Sequence, residues 1–270
     1  TIVNDDNATV SVTATTASVN EGGPGPVGTG TFTFSLTNPC STARTVTYSV
    51  SGTATAGTDF VALPGTINIP ANTTSVTATL TTIADLFVEG DETVSVRITG
   101  ISGAPAVTVD ATPAVMTIID DDIPSIQYSP ASVTMPEGGT ATIDVWLGAQ
   151  PVNPVVLNIS TVKAGVLTLD KTTLTFTSAN YGTHQVITLT AVDDNMMGNL
   201  TDDVIISVND ASSDDHFDPL PDIDIPVNVI NNDIASLVVS PTSLTIAENT
   251  TGTFTVKLSA GPSTGNVVVD

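Results

Sequence analysis

Apolar and polar residues alternate along most of this chain. Phe32, Phe34 and Leu36 are separated by Thr and Ser, and so are Val46, Tyr48 and Val50. Val76, Ala78 and Leu80 repeat the pattern, as do Val94, Val96 and Ile98. A period of two over short runs sends every second side chain to one face, which predicts strands with one buried side. Seven strands are expected in the first half, at 9–19, 30–37, 44–51, 66–70, 74–82, 92–100 and 114–120. Val and Ile interleaved with Thr favour strands, and scattered Gly and Pro supply the turns. No segment carries a helical period. The expected fold class is all-β: immunoglobulin-like β-sandwiches of about seven strands each.

The pattern repeats. Residues 1–6 read TIVNDD, residues 117–122 read TIIDDD and residues 228–233 read NVINND, at steps of 116 and 111. Glu21, Glu137 and Glu248 each follow the last Asp of those strings by 15 residues. Residues 125–139, SIQYSPASVTMPEGG, align with residues 236–250, SLVVSPTSLTIAENT. Repeats at such a period predict tandem units. The expected organisation is the end of one repeat (1–6), two full repeats (7–122 and 123–233) and the start of another (234–270).

Charge then changes the picture. There are 28 Asp and Glu against 5 Lys and Arg, a net charge of −23. Such a surface repels nucleic acid and anionic membranes. Strands that reverse direction in turn place the loops after strands one, three and five, and the end of strand seven, at one end of the sandwich. Glu21, Asp59, Asp85, Glu89, Asp91, Glu92, Asp120, Asp121 and Asp122 all fall there, and only Asp110 of the first repeat falls elsewhere. Nine carboxylates at one end repel one another unless cations lie among them. Oxygen donors without His or Cys select a hard cation, and calcium, with six to eight flexible oxygen ligands, fits best.

Residues 46–69, VTYSVSGTATAGTDFVALPGTINI, with 85–92, DLFVEGDE, and 117–122, TIIDDD, resemble a Calx-beta domain over nearly all of the first repeat. The resemblance implies calcium held by Glu21, Asp59, Asp85, Glu89, Glu92, Asp120, Asp121 and Asp122. Ala84 departs from members that carry Asp at that position. The second repeat is similar to a more divergent relative. It lacks AGTDF and has GNLTDD in place of EGDE. It keeps Glu137, Asp193, Asp194, Asp202, Asp203 and Asp233, with Asn231 and Asn232 where the first repeat has Asp. Fewer or weaker ions are expected there. Asp5 and Asp6 are the corresponding ligands of the terminal run in residues 1–6. The acidic stretch Asp210, Asp214, Asp215, Asp218, Asp222 and Asp224 is expected at the opposite end of the second repeat.

Other chemistry is thin. Cys40 is the one cysteine, so neither an intrachain disulfide nor a cysteine zinc site forms. His184 and His216 are far apart in sequence and have no nucleophile partner. Trp146 is expected to pack near a sheet edge. No apolar run reaches the ~18 residues of a membrane span. The expected role is an extracellular, calcium-stiffened structural rod or stalk of a surface adhesin or filament, and not an enzyme. Its expected partners are calcium, neighbouring repeats and a cell-surface or glycan ligand bound by other parts of the protein. A regulatory calcium sensor and an accessory module of a secreted enzyme are the alternatives.

Overall fold

The computed structural model describes residues 8–23, 27–103, 106–262 and 267–268. Its contacts divide the chain into two compact units. Unit one is residues 1–123 with 149–152, and unit two is residues 124–148 with 153–270.

In unit one, β1 (Thr9–Ala14), β3 (Thr29–Leu36), β6 (Ser75–Thr81) and β9 (Thr108–Val109) form one sheet in the order β6-β3-β1-β9. The other sheet has the order β2-β10-β8-β4-β5, from β2 (Ser18–Asn20), β4 (Arg44–Gly52), β5 (Thr66–Ile69), β8 (Glu92–Ile101) and β10 (Ala114–Ile119). Alternation decides what is buried. Val10, Phe32 and Phe34 from the first sheet meet Val46, Val94, Val96 and Met116 from the second, all fully buried. The Phe34 and Tyr48 rings sit 5.0 Å apart, tilted by 41°. Each such side chain withdrawn from water contributes about 1.5–3 kcal/mol.

The stretch read as one strand over 9–19 is two. β1 pairs with β3, then the chain crosses to the other sheet, where β2 runs parallel to β10. The crossing brings Glu21, next after β2, beside the end of β10, where its N–H donates to the Ile119 carbonyl at 2.8 Å. A short β7 (Phe87–Val88) pairs in parallel with β14 (Gln150–Pro151), which also belongs to unit one.

Unit two repeats the design. One sheet, β11-β13-β18-β16, holds β11 (Ile126–Ser129), β13 (Thr140–Leu147), β16 (Leu167–Leu169) and β18 (Gln185–Ala191). The other, β12-β20-β19-β15-β17, holds β12 (Val133–Pro136), β15 (Val155–Thr161), β17 (Thr173–Phe176), β19 (Leu200–Val208) and β20 (Ile223–Ile230). A single 3-10 turn, Asp210–Ser212, is the one helical element among the described residues. Trp146 lies on β13, an inner strand and not an edge, half-buried and stacked on His184 at 3.9 Å. The outer face of the sheet, not its rim, gives the indole its partial exposure. At the end of the chain, β21 (Leu237–Ser240) pairs with β22 (Thr255–Leu258). Leu237 faces Leu258 as Ile126 faces Leu147, 111 residues earlier.

Candidate metal centre

The site in unit one grows from four chain segments held by backbone bonds. The loop after β4 turns back on itself: Asp59 donates its N–H to the Thr55 carbonyl, and its Oδ2 accepts from the Thr55 N–H. The loop before β8 is pinned by Asp120, whose Oδ2 accepts from the N–H groups of Glu89 and Gly90 at 2.8 and 2.7 Å. Asp120 Oδ1 also accepts from the Asp122 N–H at 2.8 Å, so the end of β10 folds over the site. Asp85 Oδ1 accepts from the Phe87 N–H at 2.9 Å.

These bonds bring seven carboxylates into one chain of contacts. Glu21, Asp120 and Asp122 offer oxygens within 4.8 Å of one another; so do Glu21, Asp85 and Glu89, and so do Asp59, Glu89 and Glu92. Glu21 joins the first two groups and Glu89 joins the last two. Glu21 and Asp59 are buried, 4 and 6 per cent exposed. Glu21 Oε1 and Asp122 Oδ2 are buried without a hydrogen-bond partner. The two cations of unit one are elsewhere: Arg44 is buried under Gly103, and Arg97 donates to the Ala111 carbonyl.

The electrostatics follow. Burial, and then the charges of Asp85, Asp120, Glu89 and Asp122, push the Glu21 carboxyl up to about 8. Burial, and then the bond and charge of Asp59, push Glu92 up to about 7. Burial and the neighbouring carboxylates, Asp120 foremost, also raise Asp122. A buried acid with an orphaned oxygen and acidic neighbours is destabilising unless a proton or a cation supplies the missing charge. The donors are oxygens only, which suits calcium.

Asp121 stands apart from the three groups. Its carboxylate accepts from the N–H groups of Gly22 and Gly23 at 3.1 and 3.2 Å, which anchors the loop carrying Glu21. Asp121→Ala is therefore expected to destabilise unit one by about 1–3 kcal/mol, the usual cost of bonds to a charged group. It should weaken cation binding without lowering the number of ions bound. Calorimetric titration that finds one ion fewer would instead make Asp121 a ligand. Asp91 is exposed, and Asp5 and Asp6 lie outside the described residues.

Thr82 is a supporting residue the sequence reading passed over. It is 2 per cent exposed, its hydroxyl donates to the Glu21 carbonyl at 2.6 Å, and it accepts from the Gly28 N–H at 2.7 Å. The signal was available: Thr82 occupies the inward parity of Leu80.

Unit two brings fewer of its carboxylates together. Glu137, Asp194 and Asp233 have oxygens within 4.8 Å of one another. Asp193 is exposed beside Gly138. Asp203 is not grouped with these three, and its neighbour Asp202 is the buried one, 1 per cent exposed. Asp202 Oδ1 accepts from the N–H groups of Lys163 and Asp203, both at 2.9 Å. Alternation along β19 puts Asp202, Val204 and Ile206 inward, so Asp203 takes the outward slot. In the acidic stretch, Asp214 is buried and accepts from the N–H groups of Asn153 and His216 and bonds the His216 ring. That carboxylate serves the loop's own structure.

In comparison with known families, residues 4–122 match the Calx-beta domain. Among solved structures, the chain is similar to the CBD12 pair from CALX1.2 at 21 per cent identity, covering 73 per cent of this chain and 79 per cent of that one, with a TM-score of 0.35. It is similar to the apo-form Calx CBD1 domain at 26 per cent identity, covering 43 per cent of this chain and all of that one, with a TM-score of 0.36. No curated protein matches the chain.

Proposed function

We propose, from the match of residues 4–122 to the Calx-beta domain, a domain that binds calcium in its relatives, that unit one is a calcium-binding, non-catalytic module of an extracellular structural chain. One observation carries the reading. Seven carboxylates from four segments are gathered at one end of a sandwich, and buried oxygens of Glu21 and Asp122 have no partner there. Asp59, Glu89 and Glu92 hold one ion; Glu21, Asp85, Glu89, Asp120 and Asp122 hold the rest. Calcium supplies positive charge to this end and ties the loops before β3, before β5 and before β8 to the end of β10. The chain thereby gains stiffness where its repulsion is greatest. Extracellular calcium suffices for sites with affinities of about 10⁻⁴–10⁻³ M. A stalk or filament segment is the role that such stiffening serves.

Calorimetric titration of the chelator-treated chain with calcium is the direct test. Binding is expected, with Asp59→Asn removing one ion and magnesium competing poorly. No heat and no ion bound would end the calcium reading. Small-angle scattering with calcium and with chelator tests the stiffening separately. An unchanged distance distribution between the two conditions would end the stalk role even if calcium binds.

A further inference from the structure

The two sandwiches differ at one sheet edge. In unit one, β9 runs parallel to β1 and closes that edge: Thr108 donates its N–H to the Ala8 carbonyl at 2.8 Å, and Asp110 donates to the Val10 carbonyl at 2.9 Å. In unit two, β11 takes the place of β1, and Ile126 follows Val10 at the repeat step of 116. Among the described residues no counterpart of β9 pairs with it, so β11 is the edge strand. The cause is legible in the sequence. At the step of 111 that relates β10 to β20, Thr108 becomes Pro219, Val109 becomes Leu220 and Asp110 becomes Pro221. Both donors of unit one are replaced by proline, which has no N–H, so this segment cannot make the ladder.

The edge is left with unpaired main-chain groups and a slot. The Gly148 N–H donates to the Ser125 carbonyl at 2.9 Å, and the Leu147 N–H turns the other way, to the Tyr181 carbonyl at 2.8 Å. The alternation of an antiparallel ladder then turns Gln127 towards β13 and the main-chain groups of Ile126 and Tyr128 off the edge. No backbone bond among the described residues reaches them there. Beside them lies a cavity of about 220 Å³ lined by Ser125, Ile126, Tyr128, Leu220, Pro221 and Ile223. That is smaller than the ~300–1,000 Å³ of a small-molecule pocket, and it suits an aliphatic side chain of an extended segment. Asp222 and Asp224 are exposed and alternate with Pro221 and Ile223 along this wall. The preceding loop adds Asp210, Asp215 and Asp218, and residues 172–256 contain no Lys or Arg to offset them.

We propose that this edge of unit two is a docking site for a cationic protein partner, which adds an extended segment to β11 in the direction that β9 takes in unit one. The segment donates an N–H to the Ile126 carbonyl, as Asp110 does to Val10. It places an aliphatic side chain in the slot, as Val107 and Val109 pack against the core of unit one. Lys or Arg beside that residue meets Asp222 and Asp224. Main-chain bonds supply affinity in such strand addition, and the side-chain slot supplies specificity. An open strand edge invites unwanted pairing, and the acidic wall selects against most of it. A second copy of this chain, at a net charge of −23, is repelled. The site uses other residues than the calcium site of unit one and does not depend on it.

The probe is a synthetic peptide with the β9 sequence Ala-Val-Thr-Val and a lysine at each end, titrated by calorimetry into the full chain at low salt. Amide exchange of β11 is read alongside. The expected result is saturable binding, with exchange at Ile126 and Tyr128 slowed by about tenfold or more. Glutamates in place of the lysines should weaken binding by about tenfold, and Asp222→Asn with Asp224→Asn should cost the lysine peptide a similar factor. Pro219→Thr with Pro221→Asp restores the donors of unit one, lets the chain close its own edge and should abolish binding. Absence of saturable binding by the lysine peptide would overturn the proposal. So would binding that survives the double proline variant, because the peptide would then sit elsewhere on the acidic surface. Equal binding of the lysine and glutamate peptides would overturn the cationic partner. Protection of Ile126 that rises with protein concentration, without peptide, would overturn it in favour of a second copy. None of these outcomes bears on calcium binding by unit one.

Discussion

Chelating calcium at neutral pH is expected to lower the unfolding midpoint of unit one by about 10 °C or more. Each ion present at a hundred times its dissociation constant stabilises the folded state by about 2.7 kcal/mol. Two ions therefore contribute about 5 kcal/mol, and a domain of this size shifts by roughly 4 °C for each kcal/mol. The effect should be concentrated in Glu21, which is shared by two of the three carboxylate groups and is almost wholly buried. Glu21→Gln is expected to abolish most of the calcium-induced shift. It should also raise the midpoint of the calcium-free protein above that of calcium-free wild type, because at neutral pH the wild-type fold must hold a proton on Glu21 that the unfolded chain releases, and the neutral amide removes that cost. Differential scanning calorimetry measures both, and Trp146 fluorescence follows unit two alone, since the chain has one Trp. A variant that keeps the full calcium shift would show that Glu21 is not a ligand.

The second large effect is a reversal of pH dependence by calcium. In the calcium-free protein, Glu21 is raised to about 8 and Glu92 to about 7, from an ordinary value of 4.5 for both. Between about 4.5 and the raised values, the folded state keeps protons that the unfolded state has released. The slope of stability with pH is therefore negative: the contribution is full below the unfolded value and is lost as pH rises through 7 and 8. Calcium exchanges for those protons, so its affinity rises over the same interval. With saturating calcium the midpoint should hold or rise from pH 5 to pH 8 while that of the chelated protein falls. Melting curves at four pH values in each condition decide it. A calcium-free midpoint that climbs towards pH 8 would mean that these carboxyls are not the groups that matter.

Much of this arrangement was legible before any coordinates. The strands of unit one fall where Phe32, Phe34 and Leu36, or Val94, Val96 and Ile98, alternate with Thr and Ser. Strand periodicity is local, so a sequence carries it in full. The segregation of carboxylates was equally legible, because reversing strands send alternate loops to alternate ends. The same counting, applied one residue more closely, separates Asp202 from Asp203 and marks Thr82 as inward. Thr82 was passed over because attention went to carboxylates, and a hydroxyl in an inward slot gives no charge signal.

Composition, periodicity and parity thus determined that this chain builds β-sandwiches and that unit one collects its negative charge at one end. Tertiary structure alone decided how that charge is divided. Asp121 and Asp120 are adjacent and chemically identical, yet one anchors the backbone of Gly22 and Gly23 while the other enters a carboxylate group. Their roles depend on which way the end of β10 turns, and on the crossing from β1 to β2 that places Glu21 against it. Neither is a local property. Both follow from pairing between residues about a hundred positions apart, which single-sequence periodicity does not encode.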